Sequence, residues 1–152
     1  MAYTDYTFYS ESYYGDELTE DNAEKWLEKA SDKLDALTFG RLTFAFPTVE
    51  AHAVKVKKAV CAIAEALYLV DVQRKATSAQ LAADGTYRGA VASVSSGKES
   101  VSYSVNGSSA SVYAAAAASE SALNTLISDI AVSYISGIPD ANSINLLYAG
   151  RR

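Results

Sequence analysis

The pattern of apolar and polar positions predicts helices over most of this chain. The longest pattern runs from Thr48 to Thr77, where apolar residues recur at steps of three and four, as on the buried face of a helix. Pro47 precedes the pattern, and Thr48 can cap the free amide groups of a first turn. We therefore predict a central helix over residues 48–77 with an apolar face of Val49, Val56, Ala59, Val60, Ile63, Ala66, Leu67 and Val70.

A second helical pattern lies earlier in the chain, over residues 19–38. Thr19 is a suitable cap for its start, and Gly40 can end it. Acidic and basic residues alternate on the other side, which is typical of a face in solvent. Residues 40–47 then connect the two helices, and Phe44 and Phe46 are expected to cover the end of the bundle. The predicted apolar face comprises Ala23, Trp26, Leu27, Ala30, Leu34 and Leu37.

The pattern changes between residues 87 and 107, which are rich in Ser, Val and Gly. Val101, Tyr103 and Val105 alternate with serines, and this alternation is typical of a strand. We predict a β-hairpin or a long ordered loop here, although the composition would also suit a flexible linker. An isolated hairpin is marginal in water, so it should pack on the bundle or pair with a neighbouring chain.

Helical spacing returns over residues 109–137, as one helix or as two with a break near Ser119, and Gly137 and Pro139 end it. Residues 138–152 form a tail. The opening segment, 1–17, contains Tyr3, Tyr6, Tyr9, Tyr13 and Tyr14. Tyrosine combines a large contact area with a polar tip, so we interpret this segment as an extended arm that docks on its own bundle or on a neighbouring subunit.

These elements define a mainly α fold. We predict a single domain, 1–152, built as a small bundle of three to four helices, with an inserted β-hairpin or long loop and extended N- and C-terminal arms. A chain of 152 residues is long enough for one core.

The charge composition argues against nucleic-acid binding by a monomer. The formal net charge is −5, and ten of the eighteen acidic residues fall within the first forty positions. Phosphate neutralisation needs a clustered basic surface, and the few basic residues close together, such as Arg151 and Arg152, are too small a group to supply one. The opening segment does not resemble a secretory signal, and no apolar stretch is long enough to cross a bilayer.

No pattern in the chain indicates catalysis. His52 is the only histidine and Cys61 the only cysteine, and their spacing along one helix favours neither a nucleophile pair nor a metal site. We expect Cys61 to be a small buried apolar residue. A lone cysteine of this kind suggests that the protein folds in a reducing cytoplasm. Glycine-rich phosphate loops and nucleophile elbows are absent as well. We therefore expect a protein that is not an enzyme and that uses no cofactor and no metal.

Three stretches resemble the head-to-tail connector (adaptor) proteins of tailed bacteriophages and related prophage elements. They are Tyr13-Tyr14-Gly15 with the helix that closes on Leu37-Thr38-Phe39-Gly40-Arg41, residues 94–103, and the terminal Leu146-Leu147-Tyr148-Ala149-Gly150-Arg151. Together with the order of the helices they span nearly the whole chain. The chain departs from the adaptor pattern at residues 138–143, which resemble an insertion before Ile144.

The resemblance implies a structural protein of the virion neck, made in the host bacterial cytoplasm. Such adaptors form a homo-oligomeric ring between the portal and the stopper or tail-completion protein, and DNA passes through the ring without sequence-specific binding. The portal-docking tail would fall on Leu146, Leu147, Tyr148, Arg151 and Arg152. Val101, Tyr103 and Val105 would contact a neighbour or the stopper. The alternative is a small cytoplasmic helical regulatory protein that binds another protein without forming a ring.

Overall fold

The computed structural model of the protein describes residues 2–77 and 111–149, together with the backbone of four short strands between them. The side chains of residues 76–110 lie outside the description. The helices are α1 (Tyr6–Phe8), α2 (Glu20–Leu37), α3 (Arg41–Phe44), α4 (Glu50–Thr77), α5 (Val112–Ala118) and α6 (Glu120–Ile135), and a π-helical turn, Tyr9–Tyr13, follows α1. The mainly α class is thus confirmed.

The strands are β1 (Gln80–Leu81), β2 (Tyr87–Arg88), β3 (Ser93–Ser96) and β4 (Glu99–Ser102). β1 pairs antiparallel with β2, and β3 pairs antiparallel with β4 in a register that places Val94 opposite Val101. The connecting segments and residues 103–110 lie outside the described residues, so the inserted hairpin of residues 87–107 and its contacts stay a prediction.

The chain divides into two compact units, Met1–Tyr68 with Asn124–Arg152, and Leu69–Leu123. The boundaries fall within α4 and α6. With 28 residues, α4 is about 42 Å long at about 1.5 Å per residue. One helix of this length can take part in two clusters of contacts. The single domain was predicted from the length of the chain, and the helical pattern of α4 continues through the boundary at Tyr68 without interruption.

The first unit has a core of apolar residues from α2, α3, α4, α6 and the C-terminal segment. Thr19 caps the start of α2, and its amide donates to Oδ1 of Asn22 over 3.0 Å. Gly40 ends it with a positive φ of 72°, and its amide donates to the Asp35 carbonyl over 2.8 Å. The largest fully buried aliphatic side chains of this unit are Leu27, Leu34, Leu42, Val56, Val60, Ile63, Ile127, Ile135 and Leu146.

In the second unit, the last turns of α4 contact α5. Nε of Arg74 donates to the carbonyl of Ala117 over 3.1 Å, and its Nη2 lies 3.4 Å from Oε2 of Glu120. The chain bends at Ser119, which adopts an extended conformation (φ −140°, ψ 127°) between α5 and α6. The region 109–137 therefore contains two helices, α5 and α6, and its end is marked by Gly137 with a φ of 76°.

Two predicted features of the bundle differ from the structure. The N-terminal segment is not extended but folds into α1 and the π-helical turn, because Oδ1 of Asp5 accepts from the Phe8 amide and caps the first turn. Phe44 does not cover the end of the bundle: it is 79% exposed, since the four-residue α3 turns it outward. Phe46 does pack inward, against Tyr3.

Candidate interaction surfaces at the two ends of the chain

The N-terminal segment is held on the bundle by its tyrosines. Tyr9 is fully buried, and its hydroxyl donates to Oε1 of Glu65 on α4 over 2.7 Å. The same hydroxyl oxygen accepts from the amides of Glu17 and Leu18, at 3.0 and 3.1 Å. Tyr13 donates to the other carboxylate oxygen of Glu65 over 3.0 Å. Glu65 therefore joins two tyrosines that lie more than fifty positions away in the sequence.

A second attachment lies at the start of the segment. The Tyr3 amide donates to Oγ of Ser31 over 3.1 Å, and its hydroxyl donates to Oδ1 of Asp35 over 2.5 Å, both on α2. Ser31 is itself buried and donates to the Leu27 carbonyl. The sequence left open whether the arm docks on its own bundle or on a neighbouring subunit. These contacts show that Tyr3, Tyr9 and Tyr13 dock on the chain's own bundle.

Tyr6 and Tyr14 have different environments. Tyr6 is half-buried and its ring centroid lies 6.1 Å from that of Tyr9. Tyr14 is 81% exposed and has a left-handed conformation with a φ of 61°. It ends the π-helical turn and is followed by Gly15, where a Cβ atom would overlap the Tyr9 ring. Of the five predicted arm residues, Tyr14 is therefore the only one with an exposed side chain and the most accessible to a partner.

The buried hydroxyl and thiol groups near Glu65 are difficult to ionise. Burial raises the pKa of Tyr9 and Tyr13 well above the usual range, and the Glu65 carboxylate acts in the same direction. Burial, together with the hydrogen bond to Asp35, raises the pKa of Tyr3 to about 12. Cys61 is fully buried, and burial beside Glu65 raises the pKa of its thiol to about 12. A thiol of this kind is a poor nucleophile at neutral pH.

The C-terminal segment folds into a compact turn over residues 138–148, in place of the predicted extended arm. Pro139 and Asn145 form an antiparallel bridge, and the Leu146 amide donates to the Ile138 carbonyl over 2.9 Å. Oδ1 of the buried Asp140 accepts from the amides of Asn142 and Ile144. The carboxylate stabilises the turn because it accepts from two amides that have no backbone acceptor within the described residues.

Arg41 connects this turn to α3. Its Nη2 donates to the Tyr148 carbonyl over 3.0 Å, and its Nη1 lies 3.9 Å from Oδ2 of Asp140. The Ala141 amide donates to the Ala45 carbonyl over 3.1 Å, a second link between the same two elements. These contacts place the turn against the connector between α2 and α4.

The predicted portal-docking residues fall into three groups. Leu146 is fully buried, so its side chain belongs to the core and is not displayed to a partner. Leu147 is half-buried and Tyr148 is 59% exposed. Arg151 and Arg152 lie outside the described residues. Among the predicted hairpin contacts, Val101 is described by its backbone alone in β4, and Tyr103 and Val105 lie outside the description.

Sequence reasoning missed three exposed aromatic residues on or next to the two elements that Arg41 connects, and we call Phe39, Phe44 and Tyr148 the aromatic rim. Phe39 is 55% exposed and has a left-handed φ of 56°. Phe44 belongs to α3, which carries the Arg41 side chain that binds the Tyr148 carbonyl. The signal was present as aromatic residues on both sides of Gly40, but their orientation follows from the backbone at Phe39 and Gly40.

The described ranges meet the requirements of neither a metal site nor a membrane-spanning helix. Residues 2–77 and 111–149 bring together no group of His, Cys, Asp and Glu able to hold a metal ion. His52 lies in the first turn of α4, as expected, and its Nδ1 is buried without a hydrogen-bond partner within the described residues. None of the described helices is long and apolar enough to span a bilayer.

Comparison with known proteins does not place the chain in a family. No protein-family model, no curated protein and no solved structure matches it.

Proposed function

We propose that this protein is a head-to-tail connector adaptor of a tailed bacteriophage. In this function it is a structural component of the virion neck, assembles as a homo-oligomeric ring, and bridges the portal above and the stopper or tail-completion protein below. DNA passes through the channel of the ring, and the subunit performs no catalysis. The support from the sequence is the resemblance of the three stretches near positions 13–41, 94–103 and 146–151.

The observation that carries the proposal is the aromatic rim at the exit of the C-terminal turn. The buried Leu146 and the Arg41 hydrogen bond fix the position of Tyr148, and the next residue, Ala149, is exposed. The chain after Tyr148 therefore starts from the surface, at the turn that Arg41 links to α3. Exposed aromatic side chains are common anchors of protein interfaces.

In the proposed ring, the docking tail consists of Leu147, Tyr148, Arg151 and Arg152, and Leu146 supports it from within the core. Val101, Tyr103 and Val105 of the hairpin contact a neighbouring subunit or the stopper, and the exposed Tyr14 extends that contact. A head-to-tail ring uses two different surfaces of each copy, which agrees with adhesive residues at separate places in the chain. The net charge of −5 also weakens any attraction between the channel and DNA phosphates.

Quantitative mass spectrometry of purified particles from the phage or prophage that encodes the chain tests this proposal. We expect the protein to be present in copy numbers close to those of the portal protein, because each ring subunit meets the portal vertex. The portal and the major capsid protein in the same particles serve as internal standards. Absence from particles, together with abundance in the host cytosol, would instead support the regulatory protein that binds another protein without a ring.

A further inference from the structure

A cleft of about 470 Å³ lies between the N-terminal segment, α2, α4 and the connector between these two helices, which includes α3. Its size falls in the range of about 300–1,000 Å³ that is usual for ligand sites. We call it the Asp35 cleft. The residues that matter for its chemistry are Tyr3, Asp35, Leu42, Thr43, Phe46 and Lys57.

One side of the Asp35 cleft combines a carboxylate with aromatic rings. The Tyr3 hydroxyl donates to Oδ1 of Asp35 over 2.5 Å and lies 3.4 Å from Oγ1 of Thr43. The Tyr3 and Phe46 rings stack, with centroids 5.4 Å apart and an interplanar angle of 26°. Among the hydrogen bonds of the described residues, the Asp35 carboxylate uses Oδ1 alone, so Oδ2 remains for a ligand.

This arrangement suits a guanidinium group better than other cations. A guanidinium is planar, donates to carboxylates in a fixed geometry, and stacks on aromatic faces. An ammonium group is more strongly hydrated and loses more by entering an apolar cleft lined by Leu42 and Phe46. The hydrogen bond from Tyr3 fixes the carboxylate, which reduces the entropy lost on binding.

The same cleft also contains a positive group. Lys57 lines it, and Nζ of Lys57 lies 5.3 Å from the centroid of the Phe8 ring on the N-terminal segment. A ligand with a cation alone would face this ammonium group without compensation. A ligand that also carries an anion can satisfy both Asp35 and Lys57, so the charges of the cleft favour a group of mixed charge.

We propose that the Asp35 cleft binds an arginine side chain presented by a peptide segment of a partner protein, with an acidic residue adjacent to that arginine. The guanidinium pairs with Oδ2 of Asp35 and packs against the Tyr3 and Phe46 rings, and the acidic group lies towards Lys57. This binding site goes beyond the proposed adaptor function and does not depend on it.

Titration of the full chain with a blocked Ala-Arg-Glu-Ala peptide, followed by amide NMR, tests the site. We expect shifts centred on the amides of Tyr3, Asp35 and Thr43 and a Kd on the order of 1 mM for so short a ligand. The same peptide with citrulline in place of arginine keeps the shape but removes the charge, and its binding should be weaker by roughly tenfold or more.

Two variants complete the test. Asp35→Asn keeps an oxygen that can accept from Tyr3 but loses the charge, so the Arg-Glu peptide should bind about tenfold more weakly. Asp129→Asn removes an exposed carboxylate from α6 and should bind as the unmodified protein does. Thermal melting of both variants establishes that they are folded, and the citrulline comparison on the unmodified protein does not require a variant at all. Equal binding of the arginine and citrulline peptides, or shifts that are absent or centred elsewhere, would overturn the proposal.

Discussion

At the scale of single residues, Glu65 holds two tyrosines of the N-terminal segment on the bundle. It lies in the middle of α4 and accepts from both Tyr9 and Tyr13. By helical spacing alone it falls off the predicted apolar face and would be assigned to solvent. Its carboxylate is instead half-buried, and the two hydroxyl donors compensate part of the hydration that it loses.

Tyr9→Phe tests the importance of this contact. The change removes the donor to Glu65 and also the acceptor of the Glu17 and Leu18 amides. Because these groups lie in or near the core, we expect the free energy of unfolding to fall by about 1–3 kcal/mol, measured by urea denaturation. Tyr14→Phe is the matched control, since Tyr14 is exposed, and it should change the value by no more than about 0.5 kcal/mol. Similar urea midpoints for the two variants would show that the Tyr9 hydroxyl contributes nothing to the free energy of unfolding.

At the scale of elements, the C-terminal turn has two parts with different tasks. Residues 138–146 are structural, because Asp140 satisfies the amides of the turn and Leu146 fills a place in the core. After the buried Leu146, Leu147 is half-buried and Tyr148 and Ala149 are exposed. A truncation that tests the proposed docking tail must therefore leave Leu146 in place.

Two truncations separate these tasks. Removal of residues 150–152 should leave the melting temperature nearly unchanged and weaken capture by immobilised portal protein, because two cations of the proposed tail are lost. Removal of residues 144–152 also deletes Leu146, and loss of a buried leucine typically costs about 2–5 kcal/mol. We expect this longer truncation to melt at a clearly lower temperature. Undiminished portal capture by the shorter truncation would refute the assignment of Arg151 and Arg152.

At the scale of the whole molecule, three tyrosine hydroxyls and one cysteine thiol make the stability fall at alkaline pH, because each has a raised pKa in the folded chain. Tyr3, Tyr9, Tyr13 and Cys61 all have a pKa that is higher in the folded chain than in the unfolded one. A raised pKa means that the folded state holds the proton more tightly. The stabilisation is complete below the unfolded values, 10.0 for tyrosine and 9.0 for cysteine, and is lost as the pH rises towards the folded values.

We therefore expect a melting temperature that stays level up to a pH of about 9 and then falls steeply between about 9 and 12. Differential scanning calorimetry across this range measures it. The double variant Tyr9→Phe, Tyr13→Phe cannot ionise at these two positions, so its melting temperature should start lower and fall less steeply with pH. Parallel pH profiles for the two proteins would show that the buried tyrosines are not the cause.

The sequence by itself determined the mainly α class and the positions of the long helices. The predicted helix 19–38 overlaps α2, Glu20–Leu37, and the predicted helix 48–77 overlaps α4, Glu50–Thr77. These elements depend on interactions within a few residues, namely caps, helix-ending glycine and an apolar period of 3.6, and such interactions are visible in a linear pattern.

Only the tertiary structure decided which residues of the two terminal segments pack on the chain itself and which remain exposed. The tyrosines of the first segment and Leu146 near the end are adhesive in composition, and the sequence could not tell whether they bind the chain itself or a partner. Tyr9 meets Glu65 across 56 positions, and Arg41 meets Tyr148 across 107. Contacts over such separations depend on how the helices pack, and no local period or cap encodes that packing. The tertiary structure therefore assigns Tyr9 and Leu146 to the core and leaves Tyr14, Phe44 and Tyr148 on the surface.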